Sequence, residues 1–216
     1  MDFNLKTCSI ALFLSLLMIS CDNKLQINNN VLFIVENFHA HKDSVLNIKI
    51  INNSNSNYYI TLDTNRAYNY SAFNNKLNSN IILKSLIYSG GTLIPLRGER
   101  FVSKAIRRKK NKCIDAEIVQ SDKFYKNYKT LKNAVFLKRK SSRIITIPFS
   151  LKFNTCFSSY HYDIKKNKKN ELKIEYKMLK EILENDVAVK TRDSLERKGY
   201  FPYYQTIVSN KVIIFE

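Results

Sequence analysis

"VLNIKIINNSNSNYYITL", Val45 to Leu62, decides the fold. Leu46, Ile48 and Ile50 alternate with Asn47 and Lys49; beyond an Asn/Ser run, Tyr58, Ile60 and Leu62 alternate with Tyr59 and Thr61. Successive side chains of a strand point to opposite faces, so a period of two marks a sheet with one side buried. Two such runs around a polar turn predict a β-hairpin. The same alternation is cleanest in "LKIEYKM", where Leu172, Ile174, Tyr176 and Met178 face inward and Lys173, Glu175 and Lys177 outward. Further strands are predicted at Val31 to Val35, Ile81 to Tyr88, Ile114 to Val119, Ala134 to Leu137, Arg143 to Phe153 and Thr206 to Phe215. Ser209 and Asn210 interrupt the last as a turn or a bulge. Gly90-Gly91 reads as a turn between apolar runs; it lacks the Gly-x-Gly pattern and the following Lys-Ser/Thr of a phosphate loop.

Many short amphipathic strands separated by polar turns predict a mainly β protein, an antiparallel β-sandwich with one or two short helices. One helix is expected in "SDKFYKNYKTLKN", with Ser121 as its cap and Phe124, Tyr128 and Leu131 sharing a face. The other is expected in "KMLKEILEN", where Leu179, Ile182 and Leu183 have helical spacing. Both read as connecting helices at an end of the sandwich. The hairpin and the closing "YYQTIVSNKVIIF" resemble segments of immunoglobulin-like domains of bacterial envelope proteins. That resemblance covers about a third of the chain and carries no functional residues to transfer.

Ahead of the β pattern stand Lys6 and an apolar run from Ile10 to Ile19, the layout of a secretory leader. The run is too short to span a bilayer, which takes about 20 apolar residues. Met18, three residues before Cys21, fits the small-residue rule of ordinary leader cleavage poorly. Leu17-Met18-Ile19-Ser20-Cys21 instead resembles the lipobox of bacterial lipoproteins, departing from the commonest pattern at Met18, where Leu is usual. The resemblance implies that the Cys21 thiol carries a diacylglyceryl group, that the leader is removed and that the new amino terminus is acylated. Cys8, in the same leader, would be discarded with it. Two or more acyl chains anchor stably where one does not. The expected organisation is then a signal peptide over 1–20, a lipidated tether over 21–30 and a β-sandwich ectodomain over 31–216.

Among the 216 residues there are 36 Lys and Arg against 18 Asp and Glu, a formal charge of +18. Part of that excess reflects a chain rich in Asn, Lys, Ile, Tyr and Phe, as an AT-rich genome produces. It is nevertheless concentrated: Lys104 to Arg143 holds fourteen Lys and Arg against Asp115, Glu117 and Asp122, a net of +11. Arg107, Arg108, Lys109 and Lys110, with Lys138, Arg139 and Lys140, are the candidate anion-binding residues. Clustered cations in a cytoplasmic chain would suggest nucleic acid. The leader argues against that partner and for anionic headgroups, acidic envelope polymers or another envelope protein. The competing reading is a set of solvated loops that keep the protein soluble.

Cys113 and Cys156 remain after the leader is removed, and an exported chain allows them to pair. Alternation puts both on polar strand faces, so a disulfide would lie at the surface, closing a loop of about 43 residues for roughly 4 kcal/mol in the chain-entropy picture. No cofactor is expected. His39 and His41 have the spacing of two metal ligands on one strand face, but no third ligand can be assigned, so no metal site is expected. His161, beside Asp163, invites comparison with a base for Ser158 or Ser159. Such constellations are ordinarily assembled from distant segments. The sequence therefore predicts a membrane-anchored, non-catalytic binding or structural module. Its alternatives are an electrostatic binder acting through 104–143 and an envelope hydrolase.

Overall fold

The strand with the cleanest alternation lies near the middle of the larger sheet. The computed structural model describes residues 30–36, 38, 39, 45–62, 64, 83–100, 123, 125–154 and 158–215. The protein is mainly β, an antiparallel sandwich whose strands run β1 (Val31–Val35), β2 (Phe38–His39), β3 (Val45–Asn52), β4 (Asn57–Ile60), β5 (Lys84–Ser89), β6 (Thr92–Ile94), β7 (Leu96–Arg100) and β8 (Val135–Leu137). They continue as β9 (Ser141–Pro148), β10 (Lys152–Asn154), β11 (Ser158–Tyr162), β12 (Asn170–Tyr176), β13 (Tyr200–Pro202), β14 (Ile207–Val208) and β15 (Val212–Phe215). One sheet has the order β1-β3-β9 and the larger has β2-β15-β12-β5-β6, with β14 also on β12. Smaller sheets, β10-β11-β7 and β13-β4-β8, extend the ends.

Inward residues of both principal sheets meet in one core. Leu172, Ile174 and Tyr176 of β12 are buried, as are Val31, Phe33 and Val35 of β1 and Leu46, Ile48 and Ile50 of β3. The rings of Phe33 and Tyr176 stand 6.4 Å apart across the sandwich. The β5–β6 hairpin turns at Gly90 and Gly91, with φ of 57° and 82°, and pairs Ser89 with Thr92. Positive φ at both central residues suits the right-handed twist of the flanking strands, which is why two glycines stand there.

The chain's first strand divides between the sheets. β1 pairs antiparallel with β3, while Phe33 also bridges Ser209 in the parallel sense and β2 runs parallel to β15, Phe38 opposite Ile214. Asn210 ties the junction, its Nδ2 donating to Val35 O at 3.0 Å and its Oδ1 accepting from Val35 N at 2.9 Å. The Ser209–Asn210 interruption is a bulge. Two residues separate Leu172 from Glu175 on β12, while three separate Val208 from Val212 on the partner. Ser209 fills the gap by donating its amide to Ile174 O at 2.9 Å and accepting from Ile174 N through Oγ at 2.8 Å.

The expected hairpin at Val45–Leu62 does not form. β3 pairs with β9 from Val45–Pro148 to Asn52–Ser141, and β4 takes up pairing with β8 at Tyr58–Leu137. The two runs are successive parts of one long arm, and the Asn/Ser stretch is a bulge opposite Lys138–Lys140. The expected strand Arg143–Phe153 is likewise two, β9 and β10, in different sheets. Ser150 breaks it: its Oγ donates to Lys152 O at 2.6 Å and accepts from Lys152 N at 3.2 Å, closing a side-chain turn.

Among the described residues there are three short helices: a stretch at 125–129, α1 (Lys180–Asp186) and α2 (Val189–Arg197). The first two fall where periodicity predicts, with Tyr128, Leu131 and Leu183 buried, although Ser121 and Phe124 lie outside the described residues. The third was not expected, because α2 buries no residue and so shows no apolar stripe. The predicted strand Ile114–Val119 also lies outside the described residues. No helix among them is long and apolar enough to cross a membrane.

Candidate functional site

Asn52 organises the bulge and, through it, a basic end of the molecule. It is fully buried, and its Nδ2 lies 2.8 Å from Ser56 O, 3.2 Å from Leu137 O and 3.0 Å from Lys138 O. Its Oδ1 accepts from Ser54 N at 3.0 Å and Ser54 Oγ at 2.7 Å. One side chain thus bonds carbonyls on both arms of the ribbon, the one at Leu137 in a buried setting.

Opposite it, Lys138, Arg139 and Lys140 form the exposed β8–β9 turn. Lys140 has φ 50°; its amide donates to Ser54 O at 3.2 Å and its Nζ to Asn53 O at 2.7 Å. Asn53 N in turn donates to Asn30 O at 2.7 Å. The first described residue of the chain therefore sits beside the basic turn. On the other side, Asn57 Oδ1 accepts from Arg139 N at 2.8 Å while Asn57 Nδ2 donates to Gly199 O at 3.3 Å. This brings up the C-terminal end of α2, with exposed Arg197 and Lys198; Glu196 is the acid in that last turn. Phe201, in the strand that follows, is 45% exposed. Among the described residues no carboxylate makes an ion pair with Lys138, Arg139, Lys140, Arg197 or Lys198.

Of the candidate cations, Lys138, Arg139 and Lys140 are thus gathered at one end, and Arg107, Arg108, Lys109 and Lys110 lie outside the described residues. So do Cys21, Cys113, Cys156 and His41. His39 contributes its backbone to β2. Sequence reading missed Lys198 and Phe201, although "ERKG" at Glu196–Gly199 carries a usable signal: basic residues before a Gly at φ 77° mark a helix end.

His161 is bound to Asp163, Nε2 to Oδ1 at 3.1 Å, and Arg97 Nη1 holds the other carboxylate oxygen at 3.0 Å. Ser158, three residues away on the same strand, is buried and points to the opposite face from His161. Ser159 shares the face of His161, but no hydrogen bond joins them among the described residues. The cluster is a partly exposed charged group that links β11, the residue after it and β7. Among the described residues, no three of His, Cys, Asp and Glu converge as metal ligands.

The basic end is built around Asn side chains and the Lys140 ammonium, which bond main-chain carbonyls. Comparison with known proteins adds no relative: no family model, no curated protein and no solved structure matches this chain.

Proposed function

We propose that the chain is a lipid-anchored protein of a bacterial envelope whose β domain binds without catalysing, resting its basic end on the anionic membrane surface. The observation that carries this reading is the contact chain Asn30–Asn53–Lys140, which sets the start of the domain beside the cationic turn. A tether over 21–30, at ~3.5 Å per extended residue, would keep the domain within about 35 Å of the acylated Cys21. Cations near an anionic leaflet each contribute about 1 kcal/mol, an attraction that fades beyond a Debye length of about 8 Å. Lys138, Arg139, Lys140 and Lys198 would supply it, and Phe201 offers a ring suited to the interface.

The intact mass of the detergent-extracted protein tests the anchor. Loss of the first twenty residues with a lipid adduct, absent in Cys21→Ala, is the expected result; an unmodified full-length chain would overturn the reading. The docking end is tested separately with full-length Cys21→Ser and vesicles. Sedimentation with anionic vesicles should weaken steeply with salt and fall several-fold in Lys138→Gln/Arg139→Gln. Equal binding to neutral vesicles would remove the electrostatic part, and preference for a soluble acidic polysaccharide over vesicles would transfer the site to a polymer.

A further inference from the structure

On the far side of β9 from β3 lies an open groove of about 360 Å³. One wall is formed by Arg143–Thr146; the other is Thr64 with the run Lys132–Val135. β9 pairs with β3 along all eight of its residues, so half of its amides and carbonyls already have partners. The remaining groups point the other way, and among the described residues no second strand pairs with them. A row of alternating donors and acceptors beside a cleft is what an incoming extended backbone complements, whereas a point anion would use the donors alone.

The two sides of that row differ in character. Arg143 lies on the same face of β9 as buried Ile145 and Ile147 but is exposed at the strand's end, with Lys132 across the groove. Among the described residues no carboxylate lines the groove. On the other face, Ile144 is 66% exposed, in register with Lys49 and, through it, with Ile34, itself 39% exposed. An added strand would present its side chains alternately to the two faces. It therefore needs acidic residues on the Arg143 side and apolar ones on the Ile144 side.

We propose that the outer edge of β9 is a docking slot for an extended partner segment that alternates acidic and β-branched apolar residues. This goes beyond membrane anchoring and does not depend on it. Such a segment adds one strand to the β1-β3-β9 sheet.

The test uses the full-length Cys21→Ser chain, isotope-labelled, titrated with the peptide acetyl-Val-Glu-Val-Glu-Val-Glu-amide. Expected are amide shifts and slowed hydrogen exchange confined to Arg143–Thr146 and the facing Lys132–Val135. Replacing the three Glu by Lys should weaken binding at least tenfold, and a central Pro, which removes a main-chain donor, should do the same. Arg143→Glu, an exposed substitution, should reverse the preference between the Glu and Lys peptides, and Lys132→Glu should weaken the Glu peptide several-fold. Indifference to peptide charge, tolerance of the Pro, or shifts mapping elsewhere would each overturn the proposal.

Discussion

Asn52 does with one amide what a tight turn would do with several backbone groups. Its five hydrogen bonds join Ser54 and Ser56 on its own arm to Leu137 and Lys138 on the facing one. Asn52→Ala would take a donor from the buried Leu137 carbonyl and the part-buried Ser56 and Lys138 carbonyls, as well as opening a small void. A buried group left unpaired costs about 1–3 kcal/mol, so the whole change should cost about 3 kcal/mol in urea unfolding. Asn52→Asp is expected to be no better, because it replaces the donor to three carbonyls with a buried negative charge. The sequence showed only a polar run here. An Asn in a stretch of Asn and Ser looks like a solvated turn residue, and nothing local distinguishes the one whose amide is turned inward to a segment 85 residues away.

Elements whose apolar residues alternate without interruption were legible, and those stabilised by a single special contact were not. β12 and β5 are core strands with alternating burial, and both were expected. β7, "LRGER", has no such pattern; it pairs with β11 where Gly98 lies against the ring of Tyr160, which stacks on Phe153 at 5.1 Å. A Cβ at position 98 would stand 2.7 Å from Tyr160 Cε1. Gly98→Ala should therefore displace the ring and destabilise the β10-β11-β7 sheet by about 1–2 kcal/mol. In a Tyr160→Ala background the same substitution should cost close to nothing, which a double-mutant cycle of unfolding free energies would measure. The mispredicted hairpin has a similar origin. Alternation identified β3 and β4 as strands, but pairing partners depend on which distant run matches their length, and β9 with β8 does. At the site, the cationic turn Lys138–Lys140 was legible as charge, whereas its neighbourhood with Asn30 and Gly199 depends on side-chain amides that carry no sequence pattern.

Across the whole molecule, the core is rich in phenols, and that gives the stability a definite alkaline limit. Burial pushes Tyr162 up to about 12 from 10.0. Tyr59 is raised, first by burial and then by Tyr204; Tyr176 is raised by burial, with hydrogen bonds from Thr61 opposing. The folded state holds these groups neutral while the unfolded chain releases their protons near pH 10. Their stabilising effect is therefore complete below pH 10 and is lost as the pH climbs through the folded values. For Tyr162 the two-unit interval corresponds to about 3 kcal/mol. Phenolate absorbance and circular dichroism, followed together, should rise and fall in one transition above pH 10. Tyr162→Phe should cost under about 1 kcal/mol at neutral pH, since its bond to Ser85 O is long at 3.4 Å, and should shrink the alkaline loss. On the acid side Glu171, bonded by Lys169 and attracted by Lys211, is held below the ordinary carboxylate range. Its contribution is present above that range and fades as the pH falls through the lowered value.

The first strand leans on the last. Phe33, Phe38 and His39 stand opposite Ser209, Ile214 and Phe215 in a single parallel register, clasped by Asn210. In time, this means that β1 can pair with β3 early, whereas its parallel seat comes only with the trailing strand and closes a loop nearly as long as the domain. Such long-range closure is slow and leaves strand edges open while it waits.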